Sequence, residues 1–168
     1  FTAGARFRRP SGDDFRIVDS DYVLLGDYAD AAKWFAEFAA EKPDDPLSWY
    51  LLGRALYNEN RFDEAIDNFQ HALMLRTNYI QAENNLGLAW QGLNNLQRAN
   101  EAFKAAIEWQ RDQPKDAQPY LNLGTLLTQE GQVKDAVPLL ETAAGLAANN
   151  PKIHEELGKA YEVLNDLP

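Results

Sequence analysis

The sequence predicts an all-α fold made of a repeated pair of helices. Three observations support this prediction: apolar residues recur three to four positions apart, the whole pattern returns about every 34 residues, and glycine or asparagine divides each copy in two. The clearest copy spans residues 46–79. Trp49 and Leu52 share one face of its first helix, and Ala65 and Phe69 share one face of its second, so the copy should form an antiparallel helical hairpin.

A weaker copy, residues 12–45, lies one period upstream. A first helix is expected over residues 13–25, and a second over the segment that contains Ala31 and Phe35. Asp19 stands where the next copy has Gly53. This difference fits a terminal repeat, because its first helix has no preceding neighbour and need not keep a small residue.

Residues 1–11 differ in composition from the rest of the chain. They contain Arg6, Arg8 and Arg9, whereas the whole protein has a net charge of -10. We interpret them as a flexible basic N-terminal arm. The arm is either a solvated tail or a segment that docks on an acidic surface of this molecule or of a neighbouring one.

Two and a half copies follow the clearest one. Residues 80–116 keep the same phase, residues 117–150 begin three positions late, and residues 151–168 supply only a first helix or cap. The three additional residues near Trp109 are expected to extend the preceding helix by almost one turn. The chain therefore predicts nine helices, with the last packed on the preceding hairpin.

The position between the two helices of each copy is always glycine or asparagine. The five residues are Gly26, Asn60, Asn94, Gly131 and Asn165. Both residue types enter the left-handed backbone conformation at low energetic cost, and this conformation commonly ends a helix. We therefore expect a tight turn at each position.

A second series of small residues falls inside the predicted first helices. Gly53, Gly87, Gly124 and Gly158 each cost about 1 kcal/mol relative to alanine in a helix interior. Close approach of the two helices of a hairpin would offset this cost. The expected contact points in the second helices are the alanines Ala65, Ala72, Ala99, Ala106, Ala136 and Ala143.

The tryptophans could be read as a stacking platform for a ligand, but the repeat favours a structural role. Trp49 and Trp90 occupy core positions of the repeat and are expected to be buried between hairpins. Trp109, beside the insertion, is expected to be partly exposed.

These motifs resemble the tetratricopeptide repeat. The resemblance is carried by the W-x-x-L-G sequence at residues 49–53, followed by Ala65, Phe69 and Ala72, at a period of 34 residues. It covers residues 12–168, about four and a half units. It implies a right-handed superhelical solenoid in which first helices line a concave groove and second helices form the outer face.

The resemblance also implies a partner-binding site, because such repeats usually face the groove with their second, fifth, ninth, twelfth and thirteenth positions. Two further asparagines match the asparagine ladder of O-linked N-acetylglucosamine transferase repeats. Together the candidate residues are Leu47, Tyr50, Arg54, Tyr57, Asn58, Gln81, Asn84, Asn85, Leu88, Gln91, Gln118, Leu121, Asn122, Thr125, Thr128 and Gln129. Amides both donate and accept hydrogen bonds, so this row can pair with an extended peptide backbone. The alternative is that the amides only solubilise an exposed helix face.

One specific function of related repeats does not carry over. Members that bind the C-terminal carboxylate of chaperones use a clamp of Lys, Asn, Asn, Lys and Arg. Here the corresponding residues are Tyr50, Arg54, Asn85, Gln118 and Asn122. The single cation, Arg54, is a candidate either for a ligand carboxylate or for a salt bridge between repeats.

Composition argues against other function classes. The chain has no cysteine and only two histidines without a partner at ligand spacing, so no metal or other cofactor is expected. The acidic charge argues against nucleic acid. No phosphate-binding glycine loop, nucleophile elbow or two-histidine motif is present, so no enzymatic activity is expected. No window approaches the roughly 18 apolar residues of a membrane span, and the compartment is left open because the chain begins at Phe1.

The leading prediction is therefore a protein–protein interaction scaffold that holds an extended or helical partner segment in its groove. One alternative is a self-assembly module that docks its arm or its terminal helix onto another copy to form a homo-oligomer. A second alternative is that the chain is the regulatory or recruiting part of a larger enzyme.

Overall fold

The computed structural model describes residues 28–165, and this part of the chain consists of helices joined by short connections. The helices, numbered in chain order, are α1 (Tyr28–Glu41), α2 (Pro46–Asn58), α3 (Phe62–Leu75), α4 (Ile80–Gly92), α5 (Leu96–Glu108), α6 (Gln118–Gln129), α7 (Val133–Leu146) and α8 (Pro151–Asn165). They correspond to the predicted helices from the second to the ninth. The predicted first helix, the basic arm and Gly26 lie outside the described residues.

The helices pack in chain order. The hairpins are α2 with α3, α4 with α5, and α6 with α7, and the second helix of each hairpin packs on the first helix of the next. Smaller contacts join α2 to α4, α4 to α6, and α6 to α8. The prediction of an all-α solenoid of helix pairs is confirmed.

Short polar side chains begin several of these helices. Asp45 accepts a hydrogen bond from the Leu47 amide at 3.0 Å, and Pro46 occupies the first position of α2. Asn95 accepts from the Arg98 amide at 3.2 Å at the start of α5. These bonds satisfy amides that have no partner within the helix, and proline is tolerated where no such bond is needed.

The predicted left-handed residues close the three hairpins. The backbone angle φ is 61° at Asn60, 57° at Asn94 and 77° at Gly131. In each turn the next residue donates its amide to a carbonyl five residues earlier, at 3.0, 2.9 and 2.8 Å. This pattern satisfies a carbonyl at the helix end and reverses the chain. Asn165 is the last residue of α8.

Three of the four glycines singled out in the predicted first helices lie against a large side chain of the paired helix. A Cβ atom on Gly87 would lie 2.5 Å from the Phe103 ring. The other two pairs, at 2.7 and 2.6 Å, are Gly53 with Phe69 and Gly124 with Leu140. The closest contact is thus a large apolar residue rather than an alanine, although all six predicted alanines are fully buried. Among the described residues nothing would lie within 4 Å of a Cβ atom on Gly158, so the predicted close approach is wrong there.

The three-residue insertion forms a loop, so the prediction of a longer helix is wrong. Helix α5 ends at Glu108, and the amides of Gln110, Arg111 and Gln113 bond three rather than four residues back. Gln110, only 5% exposed, organises the loop: its Oε1 accepts the amides of Lys115 and Asp116 at 2.9 Å, and its Nε2 donates to the Asp116 carbonyl at 3.0 Å. Pro114 disfavours a continued helix, because it lacks an N–H and restricts the residue before it.

The tryptophans are less buried than expected. Trp49 and Trp90 pack against the core but are only partly buried. The Trp49 ring lies 4.0 Å from the His71 ring, and its Nε1 donates to the Pro43 carbonyl at 2.8 Å. The indole N–H of Trp49 therefore has its hydrogen-bond partner at the edge of the stack of helices. Trp109 is 38% exposed, as expected.

Candidate functional site: the groove face of the first helices

All sixteen predicted site residues lie on α2, α4 and α6, and we call the surface that they define the groove face. They differ widely in exposure. Five are exposed: Leu47, Asn58, Gln81, Gln118 and Gln129. Nine are partly buried: Tyr50, Arg54, Tyr57, Asn85, Leu88, Gln91, Asn122, Thr125 and Thr128. The remaining two, Asn84 and Leu121, are buried at 6% and 1% exposure.

Tyr50 is the centre of an aromatic cluster at the first end of the groove face. Its ring centroid lies 5.0 Å from that of Tyr79 and 6.2 Å from that of Phe69. The Arg54 guanidinium lies 5.7 Å from the Tyr50 ring centroid. These contacts hold a flat surface with a polar tip in one orientation, which lowers the entropy lost when a ligand packs on it.

Asn85 links this cluster to the next hairpin. Its Nδ2 donates to the Tyr50 hydroxyl at 3.2 Å and to the Gln81 carbonyl at 2.9 Å. The first of these bonds joins α2 to α4. The amide thus stabilises the stack and fixes the tyrosine hydroxyl at the same time.

A second amide contact joins α4 to α6. Asn122 Nδ2 donates to Asn84 Oδ1 at 2.8 Å, and Asn84 is almost fully buried. A buried amide without a partner would lower the free energy of unfolding by roughly 1–3 kcal/mol, so the burial of Asn84 depends on this hydrogen bond. The structure therefore places Asn84 between the hairpins rather than on an accessible surface.

Leu121 also departs from the groove-lining prediction. Its side chain belongs to a core cluster that includes Val133 from α7 and Ile153 and Ala160 from α8. Because α8 packs against α6, the side chain is covered. Leu121 contributes to the core and offers no surface to a partner.

The two threonine hydroxyls of the groove face on α6 differ in their hydrogen bonding. Thr128 Oγ1 donates to the Gly124 carbonyl at 2.9 Å, a bond back along its own helix. Thr125 Oγ1 is buried and has no hydrogen-bond partner among the described residues. The α6 end of the groove face therefore exposes its amides rather than its hydroxyls. On α2, at the other end, burial raises the pKa of the Tyr57 hydroxyl, and the Tyr57 ring centroid lies 5.5 Å from that of Phe62.

Tyr79 is a buried residue that supports the groove face, and the repeat positions did not predict it. It lies beneath Tyr50, with the Arg76 guanidinium 4.8 Å from its ring centroid. Burial is the main reason that the pKa of Tyr79 is raised to about 12, and the neighbouring Tyr50 also raises it. The other copies have no aromatic residue at this position, so the repeat pattern gave no signal for it.

The charges of the groove face are few. Among the sixteen residues Arg54 is the only ionisable cation and none is a carboxylic acid. Within residues 28–165 no group of three or more His, Asp or Glu residues is placed to hold a metal ion. No helix in this part of the chain is long and apolar enough to cross a membrane. The face is therefore suited to neutral hydrogen-bonding and aromatic contacts.

A stack of helical hairpins with a polar, tyrosine-bearing face on its first helices is a helical-repeat interaction scaffold. The sequence model of the tetratricopeptide repeat matches residues 20–83 and 84–151, which make up most of the chain. The chain belongs to the tetratricopeptide repeat family, and it is a protein–protein interaction module of the kind that this family provides.

Three relatives resemble the chain over different spans. It is 31% identical to the peroxisomal targeting signal receptor of Candida albicans over 81 residues, which are 48% of this chain and 14% of that protein. It is 26% identical to anaphase-promoting complex subunit cut9 of Schizosaccharomyces pombe over 161 residues, 94% and 22% of the two chains. Protein FlbA of Caulobacter vibrioides is 27% identical over 142 residues, 84% and 23%. The chain spans less than a quarter of each relative.

Two solved structures share the fold. MamA from Desulfovibrio magneticus RS-1 superposes with a TM-score of 0.72 at 24% identity, covering 94% of this chain and 89% of that one. A tetratricopeptide repeat protein from Thermus thermophilus gives a TM-score of 0.73 at 22% identity, covering 88% and 80%. At these identities the likeness concerns the fold alone.

Proposed function

We propose that the chain binds an extended or helical segment of a partner protein along the groove face. The observation that carries this proposal is the combination of exposed amides with side chains that are already fixed. Gln81, Gln118 and Gln129 are exposed on consecutive first helices, while Tyr50 is held by aromatic contacts and by Asn85. Exposed amides can pair with any peptide backbone, and fixed side chains lose little entropy on binding.

The names of two relatives agree with this role. One is a receptor for a targeting signal, and the other is a subunit of a multiprotein complex. By this analogy the partner of the present chain is a protein or peptide. We propose that the chain itself binds neither nucleic acid nor a cofactor and has no catalytic activity.

The test compares two triple variants of the chain. The groove variant carries Gln81→Ala, Gln118→Ala and Gln129→Ala. The control carries Asp67→Ala, Gln97→Ala and Lys104→Ala, which are exposed residues of the second helices α3 and α5. None of these side chains is buried, so both variants should unfold at the same urea concentration as the wild type.

A partner is first captured from the native extract, and its bound segment is mapped and synthesised as a peptide. The groove variant should bind this peptide at least about tenfold more weakly, whereas the control should stay within about threefold of the wild type. Equal affinity of the groove variant and the wild type would rule out the groove face as the binding site.

A second candidate function is self-assembly, because α8 exposes apolar side chains. Tyr161 and Val163 are 39% and 41% exposed. Docking of this surface on another copy would bury them. Light scattering distinguishes docking through the arm from docking through α8. It is applied to the full chain, to a chain without residues 1–11 and to Val163→Glu. Loss of a concentration-dependent dimer in either altered chain identifies the segment responsible. A monomer at every concentration would contradict self-assembly.

A further inference from the structure

A cavity of about 470 Å³ opens between α3, α4 and α5. Its wall on α4 is formed by Glu83, Leu86 and Trp90. These three positions share a helical face that is roughly opposite to the groove-face positions of the same helix. The cavity is therefore a surface separate from the groove face.

The cavity lies where the preceding copy has two aromatic rings in contact, tilted by 31° to each other. Trp49 and His71 lie 4.0 Å apart there, and one period later the corresponding residues are Glu83 and Ala105. The next copy again has an aromatic residue, Tyr120, which is 6% exposed. Of these three copies, only the middle one replaces the rings by a carboxylate and a methyl group, and the space between its helices is left open.

Glu83 is partly buried and its carboxylate has no hydrogen bond or ion pair in the part of the chain that the structure describes. Burial raises the pKa of this carboxyl to about 7. A partly buried carboxylate without a partner is unfavourable when ionised, and a cation brought into the cavity would stabilise it.

The other side chains that line the cavity leave its Glu83 end acidic. Helix α5 contributes Arg98 and Glu101, and α3 contributes the uncharged Gln70. The Arg98 guanidinium lies 4.5 Å from the Trp90 ring centroid. Trp90 follows Glu83 by two helical turns, about 10 Å along α4. Arg98, which lies beside Trp90, is therefore at the end of the cavity away from Glu83. With Glu83 ionised, the lining carries two negative charges and one positive charge.

We propose that this cavity binds an arginine side chain of a partner protein, with the guanidinium paired to the Glu83 carboxylate. The slot is filled by flat rings in the neighbouring copy, and a guanidinium is flat. A guanidinium is also less strongly hydrated than an ammonium and can donate two parallel hydrogen bonds to one carboxylate. The cavity volume lies in the range of pockets that take small ligands, about 300–1,000 Å³.

The experiment uses the isotope-labelled full chain and two probes of the same shape. N-acetyl-argininamide carries the charge, and N-acetyl-citrullinamide replaces the guanidinium by a neutral urea. The arginine probe should shift the backbone amide signals of Ala102 and Ala105 and should lower the pKa of the Glu83 carboxyl. The citrulline probe should do neither, because it cannot form the ion pair.

Three variants make the test specific. Glu83→Gln keeps the shape and should weaken arginine-probe binding about tenfold. Asp67→Asn removes an exposed charge of α3 that lies outside the cavity lining and should change binding by less than about threefold. The double variant Glu83→Trp and Ala105→His restores the ring pair of the preceding copy and should abolish binding while the chain stays folded by circular dichroism.

The proposal is overturned by equal binding of the two probes, by unchanged affinity in Glu83→Gln, or by the absence of signal shifts at the cavity up to the solubility limit of the probe. The proposal does not depend on the groove face. The groove triple variant should bind the arginine probe as the wild type does, so the failure of one proposal is distinguishable from the failure of the other.

Discussion

The side-chain amide of Asn122 donates a 2.8 Å hydrogen bond to the side-chain oxygen of Asn84, across 38 residues of sequence. This contact ties two neighbouring hairpins together, so both asparagines support the stack. We expect Asn122→Ala to lower the free energy of unfolding by about 1–3 kcal/mol, because it leaves the nearly buried Asn84 oxygen without a partner. Urea unfolding measures the change. Gln118→Ala, an exposed amide of the same helix, should change stability by less than about 0.5 kcal/mol, and equal effects of the two would contradict the assignment.

Gly87→Ala tests the close approach of α4 and α5. The added methyl group would lie 2.5 Å from the Phe103 ring, so we expect a loss of about 1–3 kcal/mol. Gly158→Ala is the matched control, because Gly158 occupies the same repeat position and an added Cβ atom would meet no described residue within 4 Å. That variant should instead gain up to about 1 kcal/mol from helix propensity. Destabilisation by both substitutions would show that packing against the aromatic ring is not the reason for the glycine.

Asn94 tests the turn between the two helices of a hairpin. With φ at 57°, a side chain at this position must tolerate the left-handed conformation. Asn94→Ala should lower thermal stability by about 1 kcal/mol, and Asn94→Gly should be neutral or slightly stabilising. The order of melting temperatures is the measurement. An alanine variant as stable as the glycine variant would mean that backbone conformation does not select this residue.

Glu83 predicts a pH-dependent term in stability. Its pKa is about 7 in the folded chain and near 4.5 when unfolded, so the folded state holds the proton longer as pH rises. Stability is therefore lost between about pH 4.5 and pH 7, and the penalty is complete above that range. After allowance for solvent screening, its size should be on the order of 1 kcal/mol.

Glu83→Gln should remove this term, so the stability difference between variant and wild type should grow with pH across that window. Chemical unfolding at a series of pH values provides the curve. Glu101→Gln, a more exposed carboxylate beside the same cavity, serves as the control. A difference between Glu83→Gln and wild type that does not vary with pH would contradict the raised pKa.

The Gln110 loop supplies another test. Gln110→Ala removes three side-chain hydrogen bonds to the backbone of Lys115 and Asp116. We expect a loss of roughly 2–3 kcal/mol and faster hydrogen exchange at the amides of these two residues. Gln113→Ala, at an exposed position in the same loop, should leave both unchanged.

Periodicity in the sequence predicted the helices and turns because their causes are local. The left-handed conformation at Asn60 and Asn94 depends on the residue itself, and an amphipathic stripe depends on the spacing within one helix. The contact of Gly53 and Gly87 with the paired helix was also predictable, since a glycine in a helix interior needs a compensating contact.

The features that the sequence did not predict depend on which element covers which. Repeat positions treat all copies as equal, but Leu121 is buried because α8 packs against its helix. Gln110 satisfies the backbone of residues five and six positions ahead, a geometry that exists only in the folded loop. The cavity beside Glu83 also required the structure, because an aromatic residue replaced by a carboxylate looks in sequence like an ordinary variation on a polar helix face.

The described helices contact only their nearest neighbours along the stack, with smaller contacts one helix further on. Each hairpin of such a stack is stabilised by its neighbours, so local unfolding of one hairpin destabilises mainly the two beside it. A peptide lying across α2, α4 and α6 would connect the first of these hairpins to the third, and these two do not pack on each other. Binding would therefore lengthen the segment that unfolds as one unit, and its stabilising effect should be largest at the hairpins furthest from the middle of the stack.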